Sequence, residues 1–249
     1  MPTLYAGTSG FAYPAWKPAF YPAKLPSKQF LGHYASRLNC VEINYTFRRL
    51  PAAATLESWA SQTPAGFLFA LKANQRITHI LRLKNAEQAT EIFLKAIDPL
   101  RAARRLGPIL FQLPPQLKCD LALLRDYLAL LPAGEALPPG FPGSFRYAFE
   151  FRHQSWLADS VYAELQKRNI SLCVAESEKL EIPEILTADF VYFRLRKPDY
   201  TAADIAAFAG RARELLAAGR DLYLFFKHED TPEGAWNAEK LLQIAAPGA

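Results

Sequence analysis

Eight short apolar runs recur along this chain, each followed by a stretch with helical spacing. The runs cover residues 3–8, 40–44, 67–72, 109–113, 146–151, 171–175, 190–195 and 222–226. Helical patterns lie near 27–38, 52–61, 86–105, 121–130, 159–168, 182–186, 202–217 and 235–245. The pattern over 202–217 is the best formed. Thr201 and Asp204 make a capping box, Ile205, Phe208, Ala212, Leu215 and Leu216 share one face, and Gly219 stops the helix. Eight strand–helix units in a chain of 249 residues are the pattern of a parallel α/β barrel. An open doubly wound sheet would need a glycine-rich turn opening directly into a helix. Here Gly7-Thr8-Ser9-Gly10 leads instead into a long aromatic and proline-rich loop, 11–26. The expectation is therefore an α/β fold, one (β/α)8 TIM-type barrel spanning 1–249 as a single domain. A Pro/Gly-rich surface insertion at 131–144 is expected on the bottom face, because it runs from a helix into a strand.

Strand parity then places the polar groups. Strands of a parallel sheet are covered on both faces and normally read as apolar throughout. In this chain one parity stays apolar while the other turns polar at the C-terminal end. Tyr147, Phe149 and Phe151 oppose Ala148, Glu150 and Arg152; Val41 and Ile43 oppose Glu42 and Asn44. If the apolar parity faces the helices, Glu42, Lys72, Gln112, Glu150, Arg194 and Lys227 point inward at the top of the barrel, where barrel active sites lie. Carboxylates beside cations in one mouth suit acid/base and anion-binding chemistry. A structural ion-pair lattice plugging the barrel end is the alternative. Glu150, Glu42, Lys72, Arg152 and His153 are the candidate catalytic residues. Asn44, Gln112, Arg194, Arg196, Lys227, His228, Tyr13, Trp16 and Trp156 are candidate ligand contacts, and Phe11, Tyr13, Trp16, Phe20 and Tyr21 after the first strand read equally as an aromatic wall or as packing over the mouth. Ser9 and Ser155 lack a nucleophile-elbow context, and Ser155 reads better as the start or cap of the following helix.

Composition narrows the rest. Lys and Arg number 29 against 24 acids, a net charge of +5, which permits an anionic partner without requiring one. Cys40, Cys119 and Cys173 form no Cys-x-x-Cys pair and no disulfide framework, so reduced thiols and a cytoplasmic setting are expected. No signal-peptide pattern opens the chain, and no uncharged apolar run approaches a membrane span, so no membrane partner is expected. No spacing of His, Asp, Glu or Cys calls for a metal, and no motif calls for a cofactor.

Several motifs, taken together, resemble one family. They are Gly7-Thr-Ser-Gly-Phe-Ala-Tyr-Pro-Ala-Trp16, Val41-Glu-Ile-Asn-Tyr-Thr-Phe47, Lys72 with Ile77-Thr-His79, Phe111-Gln-Leu-Pro-Pro115, Glu150-Phe-Arg-His-Gln-Ser-Trp156 and Gly234-Ala-Trp-Asn-Ala238. In order and from end to end they resemble the YecE-like family, domain of unknown function 72. The resemblance implies a TIM barrel and carries no assigned reaction or catalytic residues. That barrel is broadly similar to the endonuclease IV and xylose isomerase group, whose His/Asp/Glu-rich metal clusters this chain lacks. Arg196-Lys197 stands where the family commonly has His-Gly, and Lys227-His228 where it commonly has Asn-Asn. Both departures add positive charge to the mouth.

Three functions stay open on these residues. The first is an enzyme acting on a small anionic, phosphate- or sugar-like ligand, with Glu150 or Glu42 as acid/base and Arg194 and Lys227 holding the anion. The second is a nucleic-acid binder whose basic loops track phosphates while Trp16, Tyr13 or Trp156 stack on bases. The third is a non-catalytic interaction protein with a structural mouth. The sequence sets no oligomeric state.

Overall fold

The computed structural model describes residues 1–132, 145–227 and 230–245. Eight strands are present: β1 (Leu4–Thr8), β2 (Cys40–Ile43), β3 (Leu68–Lys72), β4 (Leu106–Gln112), β5 (Tyr147–Glu150), β6 (Ser171–Ala175), β7 (Phe190–Leu195) and β8 (Asp221–Phe226). They form one parallel sheet in the order β1-β8-β7-β6-β5-β4-β3-β2, so each strand lies beside its neighbour in sequence and β8 returns to β1. Helices fill the connections: α1 (Phe30–Ala35), α2 (Tyr45–Arg48), α3 (Ala53–Ser61), α4 (Glu87–Ala96), α5 (Asp98–Ala102), α6 (Leu121–Leu130), α7 (Asp159–Gln166), α8 (Ala202–Ala217) and α9 (Glu233–Ala245). The result is the expected TIM-type architecture, nearly closed.

The seam between β1 and β2 is where closure is incomplete. Only the bridge Ser9↔Glu42 pairs the two edges, with the Gly10 N–H donating to the Glu42 carbonyl at 2.8 Å. Two side chains substitute for the missing ladder. Asn39 accepts from the Ala6 N–H at 3.0 Å and donates to the Leu4 carbonyl at 2.8 Å. The Tyr34 hydroxyl accepts from the Thr8 N–H at 2.8 Å and donates to the Cys40 carbonyl at 3.0 Å. These bonds satisfy edge groups that would otherwise be buried unpaired. The seam is also tight. A Cβ on Gly7 would lie 2.1 Å from the Cys40 carbonyl oxygen, so only glycine fits there.

Strand parity divides the core in two. Val41, Phe69, Phe111, Phe149, Phe193 and Leu224 face the helices in the large outer cluster. Cys40, Leu68, Leu110, Ala148, Cys173 and Tyr192 face one another inside the barrel. The three cysteines are free, and Cys40 and Cys173 are core residues as their apolar context suggested. Above this interior layer the inward parity turns polar, so the sequence pattern itself builds a charged floor to the mouth.

Three expectations on the connections need correction. The 182–186 segment is not helical. Pro183 biases Ile182 away from helical geometry, and a five-residue run is too short to nucleate alone. The long helix expected over 86–105 is two helices, α4 and α5, because Pro99 cannot donate the N–H that would continue the first. The segment 27–38 begins as a 3-10 turn, Ser27–Gln29, before α1. Most of the 131–144 insertion, residues 133–144, lies outside the described residues. Among the described residues no helix is long and apolar enough to cross a membrane.

Candidate functional site

The C-terminal ends of five strands converge on one hydrogen-bonded network. Glu42 stands near the end of β2, Lys72, Gln112 and Glu150 end β3, β4 and β5, and Arg194 lies near the end of β7. Arg194 is the hub. Its Nη2 donates to Glu42 Oε1 at 2.8 Å and its Nη1 to Glu150 Oε2 at 2.6 Å. All three side chains are essentially excluded from water. A charge triad so buried is tolerable only when its remaining lone pairs are also met.

They are met. Glu42 Oε1 also accepts from Ser9 Oγ at 2.7 Å, and Oε2 accepts from the Tyr192 hydroxyl at 2.7 Å. Glu150 Oε2 also accepts from Gln112 Nε2 at 2.8 Å. Its Oε1 accepts from Arg152 Nε at 2.9 Å and Arg196 Nη2 at 3.0 Å. Burial by itself would raise both carboxyls. The Arg194 guanidinium, together with Ser9 and Tyr192 at Glu42 and with Arg196 and Arg152 at Glu150, more than reverses that. Both stay below the ordinary carboxylate range.

Outside the triad sits a ring of more exposed cations. The Arg196 side chain is 21% exposed and that of Arg152 is 36% exposed, against 1% for Glu150 between them. Each gives one N–H to Glu150, and Arg196 Nε is buried without a hydrogen-bond partner. Lys72 Nζ donates to the Gln112 amide oxygen at 2.8 Å and lies 4.0 Å from the centre of the Phe47 ring. Desolvation, then repulsion from Arg194, pushes the Lys72 ammonium down to about 8. Four cations thus face two fully engaged carboxylates.

A cavity of about 240 Å³ opens beside Glu150, lined by Arg152, Arg196, Ser177, Lys179, Leu180 and Ile182 among others. Its outer wall is the chain after β6, where the expected helix is absent. Glu176 braces the same side, accepting from the backbone N–H groups of Arg196 at 2.6 Å and Lys197 at 3.0 Å and from the Tyr200 hydroxyl.

The structure brings together five of the six residues that the parity argument aimed at the mouth, Glu42, Lys72, Gln112, Glu150 and Arg194, and adds Arg152 and Arg196 to them; the sixth was Lys227. Asn44 sits at the edge, its Nδ2 donating to Glu42 at 3.4 Å and its Oδ1 buried without a partner. Lys227 is exposed just beyond β8. His228 lies outside the described residues. The remaining expectations do not join the network. His153 instead caps the short turn Gln154–Trp156, accepting from the Ser155 N–H at 3.1 Å. Trp16 and Trp156 are buried, Trp16 in a cluster with Tyr13, Phe20 and Tyr21, and Trp156 against Phe151 with its indole N–H on the Leu117 carbonyl. Both are fully buried by these contacts, so neither presents a face for stacking. Tyr13 is half-buried, its hydroxyl donating to the Ser9 carbonyl at 2.7 Å.

Sequence reasoning passed over Ser9, Tyr192, Phe47, Ser177 and Lys179. Tyr192 had a signal, since it shares inward parity with Arg194. Ser9 continues β1 by one residue onto the same side. Phe47 sits on the single turn of α2, and Ser177 and Lys179 on the loop after β6, where no strand periodicity places a side chain. Among the described residues no three His, Cys, Asp or Glu side chains group as a metal site.

Comparison with known proteins agrees with the barrel fold. The chain is 23% identical to the UPF0759 protein YunF of Bacillus subtilis (strain 168), over 97% of this chain and 94% of that one. A crystal structure of a DUF72 family protein (TM1631) from Thermotoga maritima MSB8 superposes with a TM-score of 0.82 at 26% identity, covering 97% of this chain and 98% of the other. More distantly, a sugar phosphate isomerase/epimerase from Parabacteroides distasonis shares the fold, with a TM-score of 0.55 at 12% identity over 99% and 95% of the two chains. A family model described as "Protein of unknown function DUF72" matches residues 5–248, and the chain belongs to that family.

Proposed function

We propose that the barrel mouth binds a small anionic ligand of the phosphate or sugar-phosphate kind, held between Arg152 and Arg196 beside the cleft after β6. One observation carries the reading: the two carboxylates are saturated by internal donors while cation capacity is left over at the rim. A guanidinium with spare N–H groups beside a cavity suits a planar or tetrahedral oxyanion. Ser177 and Lys179 line the same cavity and supply further donors.

In this reading Glu42 and Glu150 change roles. A general acid must hold a proton near neutral pH, and a general base needs an open lone pair. Both carboxylates are held ionised, with their oxygens engaged by Arg and by neutral donors. They orient the arginines, and Lys72 is the group poised to exchange a proton. The Trp faces needed for base stacking are buried, which favours a compact ligand over a nucleic-acid strand.

Paired ligands test this most simply. Glycerol 3-phosphate should raise Tm where glycerol does not, and glucose 6-phosphate where glucose does not. Equal responses within each pair would remove the anion from the reading.

A further inference from the structure

Outside the mouth, α2 packs against the segment that follows β3. Asn74 Nδ2 donates to the Thr46 carbonyl at 3.1 Å, and Thr46 Oγ1 donates to the Lys72 carbonyl at 2.6 Å. The Phe47 and His79 rings meet edge-on with centres 4.8 Å apart. These contacts set five exposed cations on two adjoining segments, Arg48 and Arg49 on the first and Arg76, Arg82 and Lys84 on the second. Burial, then the charges of Lys72, Arg152 and Arg82, hold the His79 imidazolium below its ordinary value. Arg82 is therefore within electrostatic reach of the ring that touches Phe47, next to Arg48. Neither segment contains an acid; between Glu42 and Glu87 the sequence has Glu57 alone. Elsewhere on the surface Arg37, Arg101, Arg125, Lys167 and Arg211 each meet a carboxylate. Among the described residues none of these five cations does.

The backbone holds these charges outward. Arg82 and Leu83 take φ values of +52° and +68°, a left-handed conformation that L side chains rarely adopt. Leu83 is buried and its N–H donates to the Ile77 carbonyl at 3.0 Å, while Arg82 and Lys84 on either side of it are exposed. Apolar groups stand on the same segments, Tyr45 being 51% exposed and Ile80 64% exposed. Unmatched cations beside an exposed ring suit a string of phosphates that carries flat bases. An anionic membrane suits the face less well, because α2 is one turn of four residues and offers no apolar helix face to insert. We propose that this face binds single-stranded nucleic acid, with backbone phosphates on Arg48, Arg49, Arg76, Arg82 and Lys84 and a base stacked on Tyr45. A single strand is required because a duplex keeps its base faces from the ring. The site is separate from the small-anion cleft, since none of these residues lines the cavity beside Glu150. The exposed ring that the mouth lacks is present here.

Fluorescence anisotropy on the full chain tests this with a labelled oligouridylate of about 15 nucleotides, alone and annealed to its complement. The single strand should bind with a dissociation constant on the order of micromolar at low salt. Its log affinity should fall against log salt with a slope of about −3, as four or five phosphate contacts require. The duplex should bind more weakly. The double variant R48Q/R82Q should weaken binding about tenfold and make the slope shallower by about 1. Y45A should weaken it about fivefold with the slope unchanged. All three exchanged side chains are exposed, and circular dichroism checks that each variant is folded. Coincident curves for the wild type and R48Q/R82Q, tighter binding of the duplex, or an affinity that Y45A leaves unchanged would each overturn the proposal. So would retention on phosphatidylserine vesicles without binding of the oligonucleotide, which would assign the face to a membrane.

Discussion

Both ends of this barrel are closed by an arginine against a buried carboxylate, yet the two ends differ in balance. At the N-terminal end Arg146 Nη1 donates to Asp221 Oδ2 at 2.7 Å and to the Tyr223 hydroxyl at 3.0 Å. Asp221 also accepts from the Thr3 N–H at 2.7 Å, and the Arg146 guanidinium lies over Phe190. Tyr5 and Tyr223 stack beneath it with centres 4.8 Å apart. One charge meets one charge, and rings fill the rest. At the C-terminal end the same kind of pair is elaborated into Glu42–Arg194–Glu150, and Arg152, Arg196 and Lys72 are then added around it, so that four cations meet two carboxylates in this network among the described residues. A plug needs neutrality; a surplus of half-exposed cations beside a cavity is costly self-repulsion unless a ligand relieves it.

The difference can be sharpened by replacing the two arginines in turn. R194M strands two buried carboxylates and should cost about 3–5 kcal/mol in urea denaturation, whereas R146M strands one that keeps a backbone donor and should cost about 2 kcal/mol. Equal losses would mean that the triad is no more than a second plug. R196Q should do the opposite. It should change stability by less than about 1 kcal/mol while weakening phosphate binding tenfold or more, as loss of a charge-assisted contact does.

Acid should act chiefly on the C-terminal end. Glu42 and Glu150 sit below the ordinary carboxylate value of 4.5, so the unfolded chain binds protons there first. Their contribution is complete above that value and is lost as pH falls below it. Urea midpoints measured down the acid limb should show this slope, and R194M should flatten it. Lys72 gives the smallest effect, with the same sign of slope but in the alkaline range. Its folded value, about 8, lies under 10.5, so wild-type stability should rise with pH between those limits. K72M should gain up to about 1 kcal/mol at neutral pH and show no such rise.

How much of this was legible beforehand follows from what strand periodicity can see. Period-two alternation carried Glu42, Lys72, Gln112, Glu150 and Arg194 to one axis, because a strand leaves its side chains only two directions. Side chains beyond strand ends escaped it. Trp16 and Trp156 read equally as an aromatic wall or as packing, and only the path of their loops buries them. Pro183 was visible, but the cleft beside Glu150 depends on what β5 and β7 place opposite the chain after β6. Nor does alternation show that each carboxylate is already shared among several donors, the fact that shifts proton chemistry toward Lys72.

Calorimetric titration of inorganic phosphate into the full chain at low salt, alongside R196Q, tests the cation surplus most directly. One saturable site in the wild type, weakened by added salt and by R196Q, is the expected result. Absence of saturable binding, or an affinity that R196Q leaves unchanged, would show that the charges at the C-terminal end serve the barrel alone.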